Sequence, residues 1–180
     1  MDNFSEQLVK KQPTGNERLK NLITVAGGSL LTLILIVAAL LMLGHGIITF
    51  ILLLVSVLSA FGTFRAFRNT KVEYEYTYTN GDLDIDKIIA QSKRVELLTV
   101  QVSKFTSFGK YDDENIPEET EDMTVVMATN NIASEEFYAD FPHDEYGNTR
   151  LVFCPDERML ENIKKGLHPA VRNKFNSTSI

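Results

Sequence analysis

NLITVAGGSLLTLILIVAALLMLGHGIITFILLLVSVLSAFGTF, residues 21–64, runs for 44 residues without an Asp, Glu, Lys or Arg. Its only interruption is Gly44-His45-Gly46, and glycines end helices readily because they reach positive φ at little cost. The run therefore divides into two apolar segments, Leu22–Leu43 and Ile47–Phe64. As helices they would be roughly 33 Å and 27 Å long at about 1.5 Å per residue, which brackets a hydrocarbon core of about 30 Å. A connection this short makes the two helices antiparallel neighbours. A cleaved signal sequence does not fit, because the first segment exceeds the usual apolar length and a second follows at once. Burial in a soluble core fails too, since a chain of 180 residues has no second layer to cover helices that are apolar all round. Residues 21–67 thus read as a transmembrane hairpin, with Arg65 snorkelling to let Ala66 and Phe67 extend the second helix.

Charge gives the hairpin a direction. Lys10, Lys11, Arg18 and Lys20 precede it, and Arg65, Arg68 and Lys71 follow it, while the connection holds no Lys or Arg. The positive-inside rule then predicts a multi-pass protein of the cell membrane with both termini cytoplasmic. Residues 1–71 carry a net charge of +4 and residues 72–180 a net of −10, so the large acidic part needs no translocation. The apolar segments hold no charged side chain that would serve a proton relay or ion pathway. His45 reads as a solvated turn residue in preference to a pH sensor. Ser56 and Ala60 have small-xxx-small spacing, which lets helices approach closely. Packing within the hairpin explains that spacing as well as a homo-oligomer does.

Residues 1–20 are expected to form a cytoplasmic tail. Within it NFSEQLVKK, residues 3–11, has Phe4 and Leu8 four apart and is closed by Pro13-Thr14-Gly15. This predicts either a short amphipathic helix lying in the headgroup region or a frayed end.

From Lys71 the pattern becomes alternating. Val72, Tyr74, Tyr76 and Tyr78 share one face, and Glu73, Glu75, Thr77 and Thr79 the other, the signature of a half-buried strand. Asn80-Gly81 is a strong hairpin turn, and Leu83, Ile85, Ile88 and Ile89 mark a second strand. Further strands are expected at Val95–Val102, Lys104–Tyr111, Met123–Thr129, Glu135–Phe141 and Thr149–Cys154, with an acidic loop at residues 112–122. A helix follows, with Pro155 in its first turn, Asp156 and Glu157 at its positive end, Lys164 and Lys165 at the other, and Gly166 as its stop. Pro169–Phe175 adds a further turn, and residues 176–180 form a loose tail. The fold class is thus α+β: a transmembrane hairpin, then about seven antiparallel strands in a barrel or sandwich, residues 71–175, closed by a C-terminal helix.

That arrangement is the pleckstrin-homology one. Two membrane helices, then EYEYTYTNGDLDIDKI (residues 73–88), a series of strands and RLVFCPDERMLENIKK (residues 150–165) make the chain similar to small Firmicutes membrane proteins. Their cytoplasmic part resembles the bacterial PH-like domains of the YcxB type. The resemblance implies a fold and carries no active residues to transfer.

Chemistry is sparse. Asp82, Asp84 and Asp86 alternate on one strand, with Glu73 and Glu75 across the turn, and so form a candidate face of hard oxygen ligands for a cation. The glycine turn and terminal Glu of a calcium loop are missing, and a solvated strand face is the simpler reading. His45, His143 and His168 are separated from one another and from the single cysteine, Cys154, whose apolar setting marks it as core. No P-loop, GxGxxG or metal spacing occurs, so neither catalysis nor a cofactor is implied. The −10 charge opposes nucleic acid and phosphoinositide as partners. The expected function is a non-enzymatic, membrane-anchored module for protein interaction or scaffolding. A lipid-binding or envelope-stress accessory domain is the alternative, and a cation-dependent sensor on the Asp82/Asp84/Asp86 face a third.

Overall fold

The computed structural model describes residues 3–111, 116–132 and 136–178. The chain forms two compact units: residues 1–12 with 72–180, and residues 13–71.

In the first unit the alternating stretch after Lys71 forms strands where expected. β2 (Val72–Thr79), β3 (Asp82–Ile89) and β4 (Lys93–Gln101) make an antiparallel meander. Asn80 and Gly81 turn between the first two with φ of 51° and 109°, the positive values such a turn requires. The next turn uses Ala90 and Gln91 at φ 55° and 56°, which costs roughly 1 kcal/mol or more per residue where glycine would pass freely.

The N-terminal stretch corrects the sequence reading. Residues 3–11 are neither helix nor tail: Phe4–Lys10 is a strand, β1, antiparallel to β2 from Phe4↔Thr79 to Lys10↔Glu73. Phe4 and Leu8 share a face at a spacing of four in a helix, but four is also an even number and fits a strand. Tertiary pairing decides between them, because a second strand satisfies the backbone groups along the edge of β2. The PH-like unit therefore begins before the hairpin, and the chain is not partitioned at residue 71.

The second sheet has the order β5-β7-β8-β6, from β5 (Ser107–Lys110), β6 (Thr124–Ala128), β7 (Phe137–His143) and β8 (Gly147–Phe153). A 3₁₀ turn at Val102–Lys104 leads into β5 and shortens the strand expected there. β6 and β8 pair in parallel, from Thr124↔Thr149 to Ala128↔Phe153, so the all-antiparallel expectation fails. Side-chain alternation sets which face of a strand is buried and says nothing about its neighbour. The two four-stranded sheets are not closed into a barrel.

Two helices follow in place of one: α3 (Glu157–Gly166) and α4 (Pro169–Thr178). Asp156 caps α3, its Oδ1 accepting from the Met159 N–H at 2.7 Å, so Pro155 stands before the helix and outside its first turn. α4 takes up Asn176–Thr178 of the expected tail. Met159 and Ile163 of α3 are buried with Tyr76, Ile85, Leu151 and Phe153 in one core. Of the acidic loop, residues 112–115 lie outside the described residues, and residues 116–122 form no helix or strand.

The second unit is a helical hairpin. α1 (Gly15–Leu41) and α2 (Gly46–Asn69) are longer than the apolar segments that predicted them. α1 starts early because the Thr14 N–H donates to Glu17 Oε2 at 3.0 Å, a helix-start device. The helices meet along small and hydroxylated residues. A Cβ on Gly28 would come within 2.1 Å of Thr63 Oγ1, and Thr32 Oγ1 lies 3.1 Å from Ser59 Oγ. Thr32 and Thr63 hydroxyls also donate to Gly28 O and Ser59 O in the preceding turns, at 2.8 and 2.9 Å. The outward side chains of both helices are apolar and exposed, and both helices are long and apolar enough to cross a membrane.

Candidate functional site

The acidic strand face does not converge on a cation. β4 pairs along β3 with a register shift between Ile85 and Asp86, and each aspartate finds a different neighbour. Asp84 Oδ1 accepts from Thr99 Oγ1 at 2.6 Å. Arg94 on β4 pairs with Glu75 and reaches Asp86 at 3.7 Å. Glu73 is buried, 3.5 Å from the Gln91 amide. Asp82 stands apart at the far end of the strand. Among the described residues no three His, Cys, Asp or Glu side chains group as a metal site.

Asp82 instead borders a cleft of about 410 Å³ between the Asn80-Gly81 turn, the end of β4 and the end of α3. Tyr78 forms its floor. A Cβ on Gly166 would sit 2.8 Å from the Tyr78 hydroxyl, so glycine is needed there for the helix to end against the sheet. Burial, with Asp82 nearby, pushes the Tyr78 hydroxyl above the ordinary tyrosine value. Asp82 and Lys165 give the cleft one carboxylate and one ammonium.

Two buried polar centres were not read from the sequence. Tyr76, fully buried in β2, donates to the Ala128 carbonyl and accepts from the Cys154 N–H at 3.3 Å. One phenol thus ties the first sheet to the parallel β6/β8 pair of the second. Arg150 of β8, also fully buried, binds Asp140 of β7 through two bonds of 2.7 and 2.8 Å and lies 5.3 Å from the centre of the Tyr138 ring. The hydrogen bonds to Asp140 hold its guanidinium above the ordinary arginine value against the desolvation that lowers it. Among the described residues its Nη1 finds no hydrogen-bond partner, and it faces Glu119 Oε1 at 3.9 Å. A charge inside FYADFP and another inside TRLVF were the available signals.

The other singled-out residues make local contacts or flank the hairpin. The Cys154 thiol is buried and 3.2 Å from Asn130 Oδ1. His143 Nδ1 accepts from the N–H groups of Glu145 and Tyr146, and its ring stacks on Tyr146 at 4.8 Å. His168 Nδ1 accepts from Ala170 N–H, and His45 is the N-cap of α2. The basic flanks divide between the units: Lys10 closes β1 and Lys11 follows it, Arg18 and Lys20 lie in α1, Arg65 and Arg68 in α2, and Lys71 just beyond.

The strand before the hairpin and the strand after it are neighbours in one sheet, and the model of a single protein family, described as a bacterial PH-like domain (DUF6106), matches residues 1–173. The chain belongs to this family. The matched stretch takes in β1, both apolar helices, both sheets and α3, so the hairpin falls inside the matched PH-like region and not outside it. No curated protein and no solved structure matches the chain.

Proposed function

We propose that this bacterial PH-like protein is a membrane-tethered, non-enzymatic module that presents a protein-interaction or scaffolding surface at the cytoplasmic face of the membrane. One observation carries the tether. The Lys11 N–H donates to the Val72 carbonyl at 3.0 Å, so the chain leaves for the hairpin and returns from it at adjacent points of one sheet. A two-span crossing that begins and ends on the same folded sheet has both flanks on one side. The seven basic flank residues, against none in Gly44-His45-Gly46, favour the cytoplasm as that side. Likeness to the YcxB type within the PH-like class is part of the same proposal.

The outer face of β1 supports the interaction surface. Phe4 and Leu8 are 47% and 51% exposed beside exposed Glu6, an apolar pair on the sheet's edge strand.

Cysteine accessibility tests the tether. Because Cys154 is buried, a cysteine introduced at Ser103 should react in intact cells only after the membrane is opened, and one at His45 without opening. The opposite pattern overturns the orientation. For the surface, a photo-crosslinking residue at Leu8 of the full chain should yield one discrete protein adduct absent when the residue is at Glu121. No adduct, or the same adducts from both positions, removes the interaction reading. A fragment beginning at Val72 is unsuitable, because it exposes the β2 edge that β1 covers.

A further inference from the structure

We infer that the cleft between the Asn80-Gly81 turn and the end of α3 binds a small zwitterion, a free α-amino acid with an uncharged polar side chain. The site lies wholly within the PH-like unit and does not depend on the tether or on the face of β1 proposed above.

The floor of the cleft points to a ligand. Tyr78 is 2% exposed, yet among the described residues its hydroxyl has no hydrogen-bond partner. Buried hydroxyls are bonded as a rule, and one left without a partner is costly. Gly166 also lines the cleft, and a Cβ on it would come within 2.8 Å of the Tyr78 hydroxyl, so it is the polar end of the ring that meets the cleft. Burial pushes the pKa of this hydroxyl up, which keeps it protonated and able to donate. Tyr76, two residues earlier on the same face of β2, shows the contrast. Its hydroxyl is bonded within the fold, to the Ala128 carbonyl and from the Cys154 N–H.

The walls are fixed by the backbone. The Asn80 N–H donates to Asn3 O at 3.0 Å, and the Asn3 N–H donates to Asn80 Oδ1 at 3.2 Å, which leaves the Asn80 amide nitrogen as a donor. The Val102 N–H donates to Gly81 O at 2.9 Å and holds the end of β4 beside the turn. Buried Ile163 and Leu167 anchor the end of α3. A cleft of about 410 Å³ is within the range of small-molecule sites, and walls held in this way lower the cost of ordering on binding.

Asp82 and Lys165 select the ligand. Both line the cleft, and among the described residues neither has an ion pair or a side-chain hydrogen bond, so the two opposite charges do not neutralise each other across it. An anion drawn to Lys165 meets the carboxylate of Asp82, and a cation drawn to Asp82 meets the ammonium of Lys165, which disfavours either charge alone. A molecule carrying both charges satisfies both residues. Its ammonium donates to Asp82, and its carboxylate accepts from Lys165 and from the Tyr78 hydroxyl, charge-assisted bonds stronger than neutral ones. The side-chain amides of Asn3, Asn80 and Gln101 offer donors and acceptors to an uncharged polar side chain. A sugar would use those amides but leave both charges without a counter-charge.

The test follows melting of the full chain in detergent with L-glutamine, L-asparagine and L-serine. Ethanolamine, acetate and glucose serve as controls that carry the cation alone, the anion alone and neither. At least one of the amino acids should raise Tm, by about 10 °C at a hundred times its Kd, and the three controls should leave Tm unchanged. In calorimetric titration of that amino acid, Asp82→Asn and Lys165→Gln should each weaken binding at least about tenfold, and Tyr78→Phe about tenfold. Without ligand, Tyr78→Phe should melt within about 2 °C of the parent, because its hydroxyl has no bond in the fold to lose; a larger fall would make the hydroxyl a structural group and overturn its role as a donor to ligand. No shift with any of the three amino acids, an equal shift with any control, or binding indifferent to Asp82→Asn and Lys165→Gln overturns the inference. None of these outcomes bears on the tether.

Discussion

Replacing Tyr76 with Phe removes one oxygen from the junction of the two sheets and leaves the ring where it is. The ring packs edge-on against Phe153, with centroids 5.8 Å apart, and that contact survives. Lost are the bond to the Ala128 carbonyl and the bond from the Cys154 N–H, both in a fully buried setting. Leaving such groups without a partner costs about 1–3 kcal/mol, and two of them justify the upper half, about 2–3 kcal/mol. The unit has about 120 residues and, at about 2.1 cal/mol/K per residue, an unfolding entropy near 0.25 kcal/mol/K. Tm should fall by about 8–12 °C at pH 7, followed by near-UV circular dichroism of the full chain in detergent. The sign of the pH dependence follows from burial, which raises the Tyr76 hydroxyl far above its ordinary value of 10.0. Stabilisation from the neutral phenol is complete below pH 10 and is lost as pH climbs above it, because only the unfolded chain ionises there. Tyr76→Phe lacks this loss, so the gap in Tm must narrow between pH 9 and pH 11. A Tm within about 2 °C of the parent, or a gap that widens with pH, refutes the assignment of Tyr76 as the tie.

Arg150→Met leaves Asp140 buried without its partner and should cost about 3 kcal/mol in chemical unfolding, while Arg150→Met with Asp140→Leu should recover most of it; a double variant no more stable than the single contradicts this. Gly28→Ala drives a methyl against Thr63, whereas a Cβ on Gly27 meets nothing within 4 Å. Amide exchange around Thr32 and Thr63 should therefore rise in the first variant and stay unchanged in the second, and equal behaviour of the two would mean the helices do not pack at Gly28.

The strands after Lys71 were legible because tyrosine and acidic residues alternate and Asn-Gly sets the turn. The hairpin was legible because 44 uncharged residues admit few other readings. β1 was not, since the four-residue spacing of Phe4 and Leu8 suits a helix face and a strand face equally, and its partner lies beyond the hairpin. The parallel β6/β8 pair was hidden for a related reason: alternation reports burial and not adjacency. Asp82, Asp84 and Asp86 were a lesser candidate for a ligand set beside the simpler reading of a solvated strand face, and sharing a face leaves open who stands opposite. There Arg94 and Thr99 disperse them. Arg150 and Asp140 were recoverable by counting back from the Gly147 turn, which sets them directly opposite on β8 and β7.

That the hairpin is an insertion between two paired strands of the PH-like sheet is tested most directly by removing it. Lys11 already bonds to Val72, so a two-residue Asn-Gly turn can replace residues 12–71 and preserve the β1–β2 register. Residues 1–11 joined in this way to residues 72–180 should give a soluble protein that unfolds cooperatively, with near-UV circular dichroism like that of the parent domain. Residues 72–180 alone should be markedly less stable or aggregate through the uncovered β2 edge, and equal stability of the two chains would contradict the account.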